Sequence, residues 1–391
     1  MGPLPQFNAF PMIATQGRVA AQSTTMPTTT DSISLLRRIA DRTITVPPAS
    51  THADFVINFD EWQWHQGVAL YGIVRAYKVT GDERYLRFVT DWVDRHLAKG
   101  SPAKSINTTA PLLAVTYLYE RTHNTRYRHV CEEFAEWCLQ QAPRLPDGTY
   151  EHSCTENRYP QQVWADTLFM GGLFLAKWGR LTGDARCTAE ATHQFVRHYA
   201  YLQDPATGLI RHGYSGLEQR PIGVLWGRGN GWFAAASLEV LSYLDATQPG
   251  HDILRTNLRR HLDAVTRVQG AAGAWHTVMD QTDTLPETSC TAAFAYALGG
   301  TAIAGIGGEL DGPCYERALA WLYQCVNERG EVLKSSGGTP IKPTADAYNA
   351  VPYAVTGFSQ GLAMMALSRA SAGGGVSLGT NFGIGRSGPP G

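Results

Sequence analysis

Tyr77-Lys-Val-Thr-Gly-Asp-Glu-Arg-Tyr85 recurs in altered form as Tyr119-Glu-Arg-Thr-His-Asn-Thr-Arg-Tyr127 and as Trp178-Gly-Arg-Leu-Thr-Gly-Asp184. A fainter echo is Tyr243-Leu-Asp-Ala-Thr-Gln-Pro249. Each copy reads as a helix end, a short polar turn and a new helix start. Upstream of the first copy, Leu70, Ile73, Val74 and Tyr77 fall at helical spacings within Gln66–Val79, and Gly81-Asp82 closes that helix. Downstream, Tyr85, Leu86, Val89, Trp92 and Val93 mark an amphipathic helix over Asp82–His96. A helical hairpin of this kind cannot bury its apolar faces alone and must stack on neighbours. About 340 residues divided into six hairpins of about 55–60 residues fit a closed ring of twelve helices. Strand-like alternation is scarce. The expected fold is therefore all-α, an (α/α)6 toroidal barrel, with an open solenoid of the same hairpins as the alternative. Long loops rich in Gly, His and Trp after every second helix favour closure, because a ring has one mouth on which they converge.

The hairpins define the expected domain limits. Residues 1–30 carry Pro, Thr, Ser and Gln without periodicity and read as a disordered tail. Residues 372–391 are Gly-rich and read as a flexible tail, leaving 31–371 as one domain. The 391 residues are 43% hydrophobic, so a large core can be buried. Lys and Arg number 33 against 34 Asp and Glu, which gives no basic excess for nucleic acid. No apolar run approaches the roughly 20 residues of a membrane span. The seven cysteines, Cys131, Cys138, Cys154, Cys187, Cys290, Cys314 and Cys325, form no CxxC and no Cys/His cluster. They read as reduced thiols. With no basic start and apolar core at the N-terminus, the expected location is the cytoplasm.

Candidate chemistry lies in the loops. Trp62, Trp64, Trp164, Trp226, Trp232 and Trp275 all stand near Gly, His, Asp or Arg, and indole faces suit the C–H surfaces of sugar rings. Asp166, in Gln161-Gln-Val-Trp-Ala-Asp-Thr-Leu-Phe-Met170, interrupts an apolar stretch. Burial there would raise its pKa, as a general acid working near neutrality requires, while a helix N-cap is the plain alternative. Leu209-Ile-Arg-His-Gly-Tyr214 puts His212 on a strand or loop, able to donate to a hydroxyl or relay a proton. Leu225-Trp-Gly-Arg-Gly-Asn-Gly-Trp232 has three Gly within six residues, which leaves Arg228 free to fork onto a carboxylate. No strand-helix-strand context makes this a nucleotide loop, and no GxSxG, HExxH or Walker pattern occurs. Neither a cofactor nor a metal is expected.

Taken together, Trp164-Ala-Asp-Thr-Leu-Phe-Met170, Gly208-Leu-Ile-Arg-His-Gly213 and Trp226-Gly-Arg-Gly-Asn-Gly-Trp232 resemble the signature blocks of the unsaturated rhamnogalacturonyl hydrolases. These form family 105 of the glycoside hydrolases and are related to the unsaturated glucuronyl hydrolases. Trp62-Gln-Trp64-His-Gln-Gly-Val68, Asn107-Thr-Thr-Ala-Pro111 and the start of a late helix at Ala292–Tyr296 extend the resemblance over about residues 55–370. The resemblance implies an (α/α)6 barrel. It also implies a reaction on the oligosaccharides left by polysaccharide lyases, pectin fragments among them, whose non-reducing end carries a uronic acid with a C4=C5 double bond. The enol ether is hydrated and the sugar is released. Asp166 would protonate C4, His212 would contact the sugar near the reacting centre, and Arg228 would bind the uronate carboxylate. Trp226 and Trp232 would wall the pocket, His152 would touch substrate and Trp64 would lie in the mouth.

Two departures stand out. Asn107 occupies the place of a second Asp found in many members, and His212-Gly-Tyr-Ser215 replaces the family's His-Gly-Trp-Asp. The implied partner is an unsaturated uronyl oligosaccharide, with no nucleic acid or membrane and no implied oligomeric state. Beside the enzyme stands the alternative of a non-catalytic glycan-binding barrel that lost turnover through Asn107. An epimerase or lyase on the same barrel would need further His or Tyr pairs that the sequence does not assign.

Overall fold

The computed structural model describes residues 28–46, 55–154 and 159–371. The expected tails, 1–30 and 372–391, lie outside the described residues except at Thr28, Thr29 and Thr30, where a helix already begins.

The repeated sentence is one device used three times. Gly81, His123 and Gly183 end their helices in the left-handed conformation, with φ of 65°, 53° and 75°. The threonine before each (Thr80, Thr122 and Thr182) donates its hydroxyl to the carbonyl four residues back. The residue after each (Asp82, Asn124 and Asp184) accepts the N–H of Arg84, Arg126 or Arg186 and starts the next helix. The faint fourth copy differs, because Gly250 (φ 91°) precedes its helix and no side chain caps it.

Among the described residues, twelve helices have ten residues or more. They are α1 (Thr29–Ile44), α2 (Trp64–Thr80), α3 (Glu83–Leu97), α4 (Leu112–Thr122), α5 (Thr125–Gln140), α6 (Leu173–Thr182), α7 (Ala185–Leu202), α8 (Gly227–Val240), α9 (His251–Arg267), α10 (Thr288–Leu298), α11 (Asp311–Gln324) and α12 (Gly357–Ser371). A π-helical turn, Leu168–Gly172, leads into α6. Helices α2, α4, α6, α8, α10 and α12 pack in that order, and α12 returns to α2. The inner ring is closed. Outside it lie α3, α5, α7, α9 and α11, and α1 packs on α12, so the two ends of the described chain build the last hairpin. Phe55–Val56 pairs in parallel with Val355–Thr356 and fastens the same junction.

Composition follows position. Every residue of α8 and α10 is buried, as expected of helices covered on all faces. Outer α3 buries a stripe, Tyr85, Val89, Trp92, Val93 and His96. Where α12 meets α2 the backbones nearly touch. A Cβ at Gly72 would lie 2.6 Å from the Cα of Gly361, and one at Gly361 would overlap the Val68 carbonyl. At the end away from the site loops, Arg75 pairs with Glu239, whose carboxylate also accepts from Tyr71, Tyr243 and Tyr296.

Gly361→Ala should therefore cost about 2–3 kcal/mol by overpacking. Gly81→Ala, where nothing lies within 4 Å and only the left-handed backbone is strained, should cost about 1 kcal/mol. Urea denaturation midpoints of the two variants check the order, and equal shifts would contradict it.

Candidate active site

A small sheet at the mouth sets the central pair. Gln162–Trp164 runs antiparallel to Gly213–Ser215, with Trp164 opposite Gly213, and Gly213–Ser215 pairs in turn with Arg220–Ile222. The pairing continues as Ala165 N–H donates to the His212 carbonyl (2.9 Å) and His212 N–H donates to the Val224 carbonyl (2.9 Å). Asp166 and His212 are thereby brought side by side. His212 Nε2 lies 3.5 Å from Asp166 Oδ2.

Asp166 begins the turn into α6, and its carbonyl accepts from Met170 N–H (3.2 Å). Its carboxylate caps no helix: Oδ2 is buried without a hydrogen-bond partner, although the side chain as a whole is 13% exposed. The N-cap alternative is not what holds it. His212 is buried in an aromatic slot, 4.2 Å from the Trp226 ring and 5.3 Å from that of Trp164. His152 is buried on the other side, stacked parallel on Trp164 at 4.6 Å, with Nδ1 3.0 Å from Thr167 Oγ1.

The electrostatics correct one expectation. Burial is the largest influence on Asp166 and pushes its pKa up. The 3.5 Å approach of His212, with the positive charges of Arg228 and of the two histidines when they are protonated, outweighs burial and holds the carboxyl below its ordinary value. Burial lowers both histidines, His152 to about 4, so at neutral pH they are uncharged beside an ionised Asp166. The general acid expected from sequence is a carboxylate at neutral pH.

Arg228 corrects a second. It stands in the first turn of α8 and is 1% exposed. Its Nη1 donates to Ser336 O (2.9 Å) and Oγ (2.8 Å) and pairs with Glu287 (3.4 Å). Its Nη2 donates to Gly337 O (2.7 Å) and Thr339 Oγ1 (2.9 Å). The guanidinium is sandwiched between Trp226 (4.6 Å) and Phe358 (4.7 Å). The free fork inferred from the glycines does not exist, and only Nε–H lacks a partner. Trp226 walls the slot that holds His212. Trp232 is fully buried, its ring 4.8 Å from Phe169 and edge-on to Trp64 at 6.3 Å, so it underlies the pocket. Trp64, the first residue of α2, is half-buried at the mouth and stacks on His65 (3.9 Å) and Phe358 (5.1 Å).

Asn107 sits in the short helix Ile106–Thr109, where its N–H donates to Ser153 O (3.3 Å). This places it beside His152 and the turn after Asp166, with no side-chain hydrogen bond to either among the described residues. Sequence reasoning missed His65, Glu287 and Tyr348. His65 adjoins Trp64 in a motif already quoted, and burial with the Arg228 charge takes its pKa to about 4. Glu287 and Tyr348 had no local signal.

Five buried polar atoms around this mouth have no hydrogen-bond partner: Asp166 Oδ2, His212 Nε2, Trp226 Nε1, Arg228 Nε and Trp232 Nε1. Folded proteins leave few such atoms, and a concentration of them marks places that a ligand can satisfy. The described residues hold no group of three or more His, Cys, Asp or Glu arranged for a metal ion.

Comparison with known proteins identifies the family and the fold. The family model of Glycosyl Hydrolase Family 88 matches residues 35–371. The chain is 35% identical over 311 residues, 78% of this chain and 89% of the relative, to the unsaturated rhamnogalacturonyl hydrolase YesR of Bacillus subtilis. A possible member of the GH105 family from Salmonella enterica superposes with a TM-score of 0.83 at 27% identity, covering 92% of this chain and 98% of that one. The unsaturated glucuronyl hydrolase of Bacillus sp. GL1, at a TM-score of 0.68 and 15% identity over 87% of this chain and 96% of that one, shares the fold. The chain is an enzyme and belongs to Glycosyl Hydrolase Family 88.

Proposed function

We propose that this enzyme removes a 4,5-unsaturated uronic acid from the non-reducing end of lyase-generated oligosaccharides by hydrating the C4=C5 enol ether. The observation that carries the reading is the Asp166–His212 pair at a mouth lined by unpartnered N–H donors. Asp166 delivers its proton to C4, and positive charge develops at C5 and the ring oxygen. Water adds at C5 and gives up a proton to the carboxylate that Asp166 has become. The hemiketal then opens, the C5–O bond breaks to a ketone, and the hemiacetal at C1 releases the aglycone as an alcohol. One carboxyl serves both proton transfers, so the second carboxylate of an ordinary glycosidase is not required. Asn107 in place of a second acid fits this economy of groups and leaves the proton donor untouched.

The ionised resting state of Asp166 is compatible with this role. A substrate carboxylate entering beside it is a like charge, which favours protonation of one of the two. That carboxylate can accept from the Nε–H of Arg228 and the indole N–H of Trp226, while Trp64 offers a face at the mouth. The name of the YesR relative supports a rhamnose aglycone as the first choice. The seven free thiols support an intracellular location, and no described helix is long and apolar enough to cross a membrane. Residues 31–371 act as one catalytic domain.

Loss of the enol-ether ultraviolet absorbance measures the reaction directly. Wild type should consume unsaturated galacturonyl-rhamnose, and Asp166→Asn should be slower by about 10²–10⁴-fold. If wild type consumes neither this nor an unsaturated glucuronyl disaccharide, the reading fails.

The pH dependence carries the sign of the Asp166 shift. The active form is protonated and its pKa in the free enzyme is depressed, so kcat/KM should fall about tenfold per pH unit across roughly pH 5–8. The substrate carboxylate raises that pKa in the complex, so kcat should hold its plateau to a higher pH before falling. A kcat/KM that rises over the same range would contradict the assignment.

A further inference from the structure

Tyr348 lies far along the chain from His212, in the short helix Ala345–Asn349 between α11 and α12, yet its hydroxyl sits 2.5 Å from His212 Nδ1. It is 1% exposed. Its oxygen accepts from the backbone N–H of Lys342 at 3.2 Å. Among the described residues its one other hydrogen-bond partner is His212 Nδ1, which is therefore the acceptor open to the hydroxyl hydrogen. The main chain makes room for it at Gly223 (φ 74°), where a Cβ would stand 2.7 Å from the Tyr348 oxygen.

A hydroxyl that donates to Nδ1 requires that nitrogen to be unprotonated. The hydrogen of neutral His212 is then on Nε2, the nitrogen facing Asp166. A carboxylate at Nδ1 would act in the opposite sense, accepting a hydrogen bond and favouring the imidazolium. The charged and titratable groups that face the ring are Asp166 before α6, His152 on the preceding loop and Arg228 at the start of α8. We propose that Tyr348 is a positioning residue that keeps His212 neutral, with its hydrogen on Nε2 and aimed at Asp166. This rests on the reading of Asp166 as the proton donor. A neutral N–H stabilises the carboxylate left after proton transfer, without the full positive charge that would hold Asp166 ionised throughout.

The first test needs no substrate. Two-bond proton–nitrogen correlation spectra of the full chain, labelled with 15N-histidine, distinguish the tautomers, and His212→Gln identifies the His212 signals by their loss. The expected result at neutral pH is an unprotonated Nδ1 and a protonated Nε2. Protonation of Nδ1 in the wild type, in either a neutral or a charged ring, overturns the proposal whether or not the enzyme hydrates an enol ether. The second test is Tyr348→Phe, which keeps the aromatic ring in place. Its kcat should fall about tenfold or more with KM within about twofold. It should also lose activity as pH falls toward the ordinary histidine value of about 6.5, because the freed Nδ1 can then take up a proton. A folded Tyr348→Phe enzyme with the wild-type kcat and pH profile would overturn the proposal as well.

Discussion

The closure of α12 against α2, glycine to glycine, is the constraint on which the molecule depends. Inner helices buried on every face can meet only where side chains leave room, and Gly72 and Gly361 let two backbones approach until a single added carbon would collide. Elsewhere in the ring Gly67 lies against Ala110 and Pro111, and Gly231 lies against Ala293 and Cys290. Once the ring is closed, its six inner helices all begin at one mouth. The segments leading into them carry Trp64, Asn107, Asp166, Trp226 and Glu287, drawn from separate hairpins, to one place.

The two ends of the ring treat buried charge differently. At the far end Glu239 is matched on every side by Arg75 and three tyrosine hydroxyls, a closed network of the kind that specifies packing. At the mouth, Arg228 is held by Glu287 and by Ser336, Gly337 and Thr339, while five neighbouring atoms go without partners. Each orphaned atom costs about 1–3 kcal/mol of stability relative to a satisfied one. A protein that tolerates several in one place has shaped that place for something other than its own fold.

The sequence made the hairpins legible because their turns are local. A left-handed residue, a preceding threonine and a following Asp or Asn are requirements of a few consecutive residues, and three copies repeat them. His123 shows the same device working without glycine. Asp166 and His212 were legible as polar residues in apolar or Gly-flanked settings. Their electrostatics were not, because the sign of the Asp166 shift is decided by a histidine one hairpin later. The state of Arg228 was hidden for a similar reason. The groups that occupy it come from an aperiodic excursion between α11 and α12, and the same excursion supplies Tyr348.

The same convergence of loops sets the charge balance at the mouth. Arg228 and Glu287 compensate each other, His152 and His212 are neutral, and Asp166 is left as a negative group facing the mouth. A neutral sugar entering such a site would leave Asp166 ionised and unable to act as an acid. A uronate changes the balance, because its carboxylate and Asp166 cannot both stay charged at close range without strong repulsion, and a proton taken up on binding relieves it. In the proposed reaction the charge that identifies the substrate is then the same charge that arms the acid. On the proposed mechanism, selectivity for the uronic acid and readiness to protonate C4 arise from a single electrostatic event at Asp166.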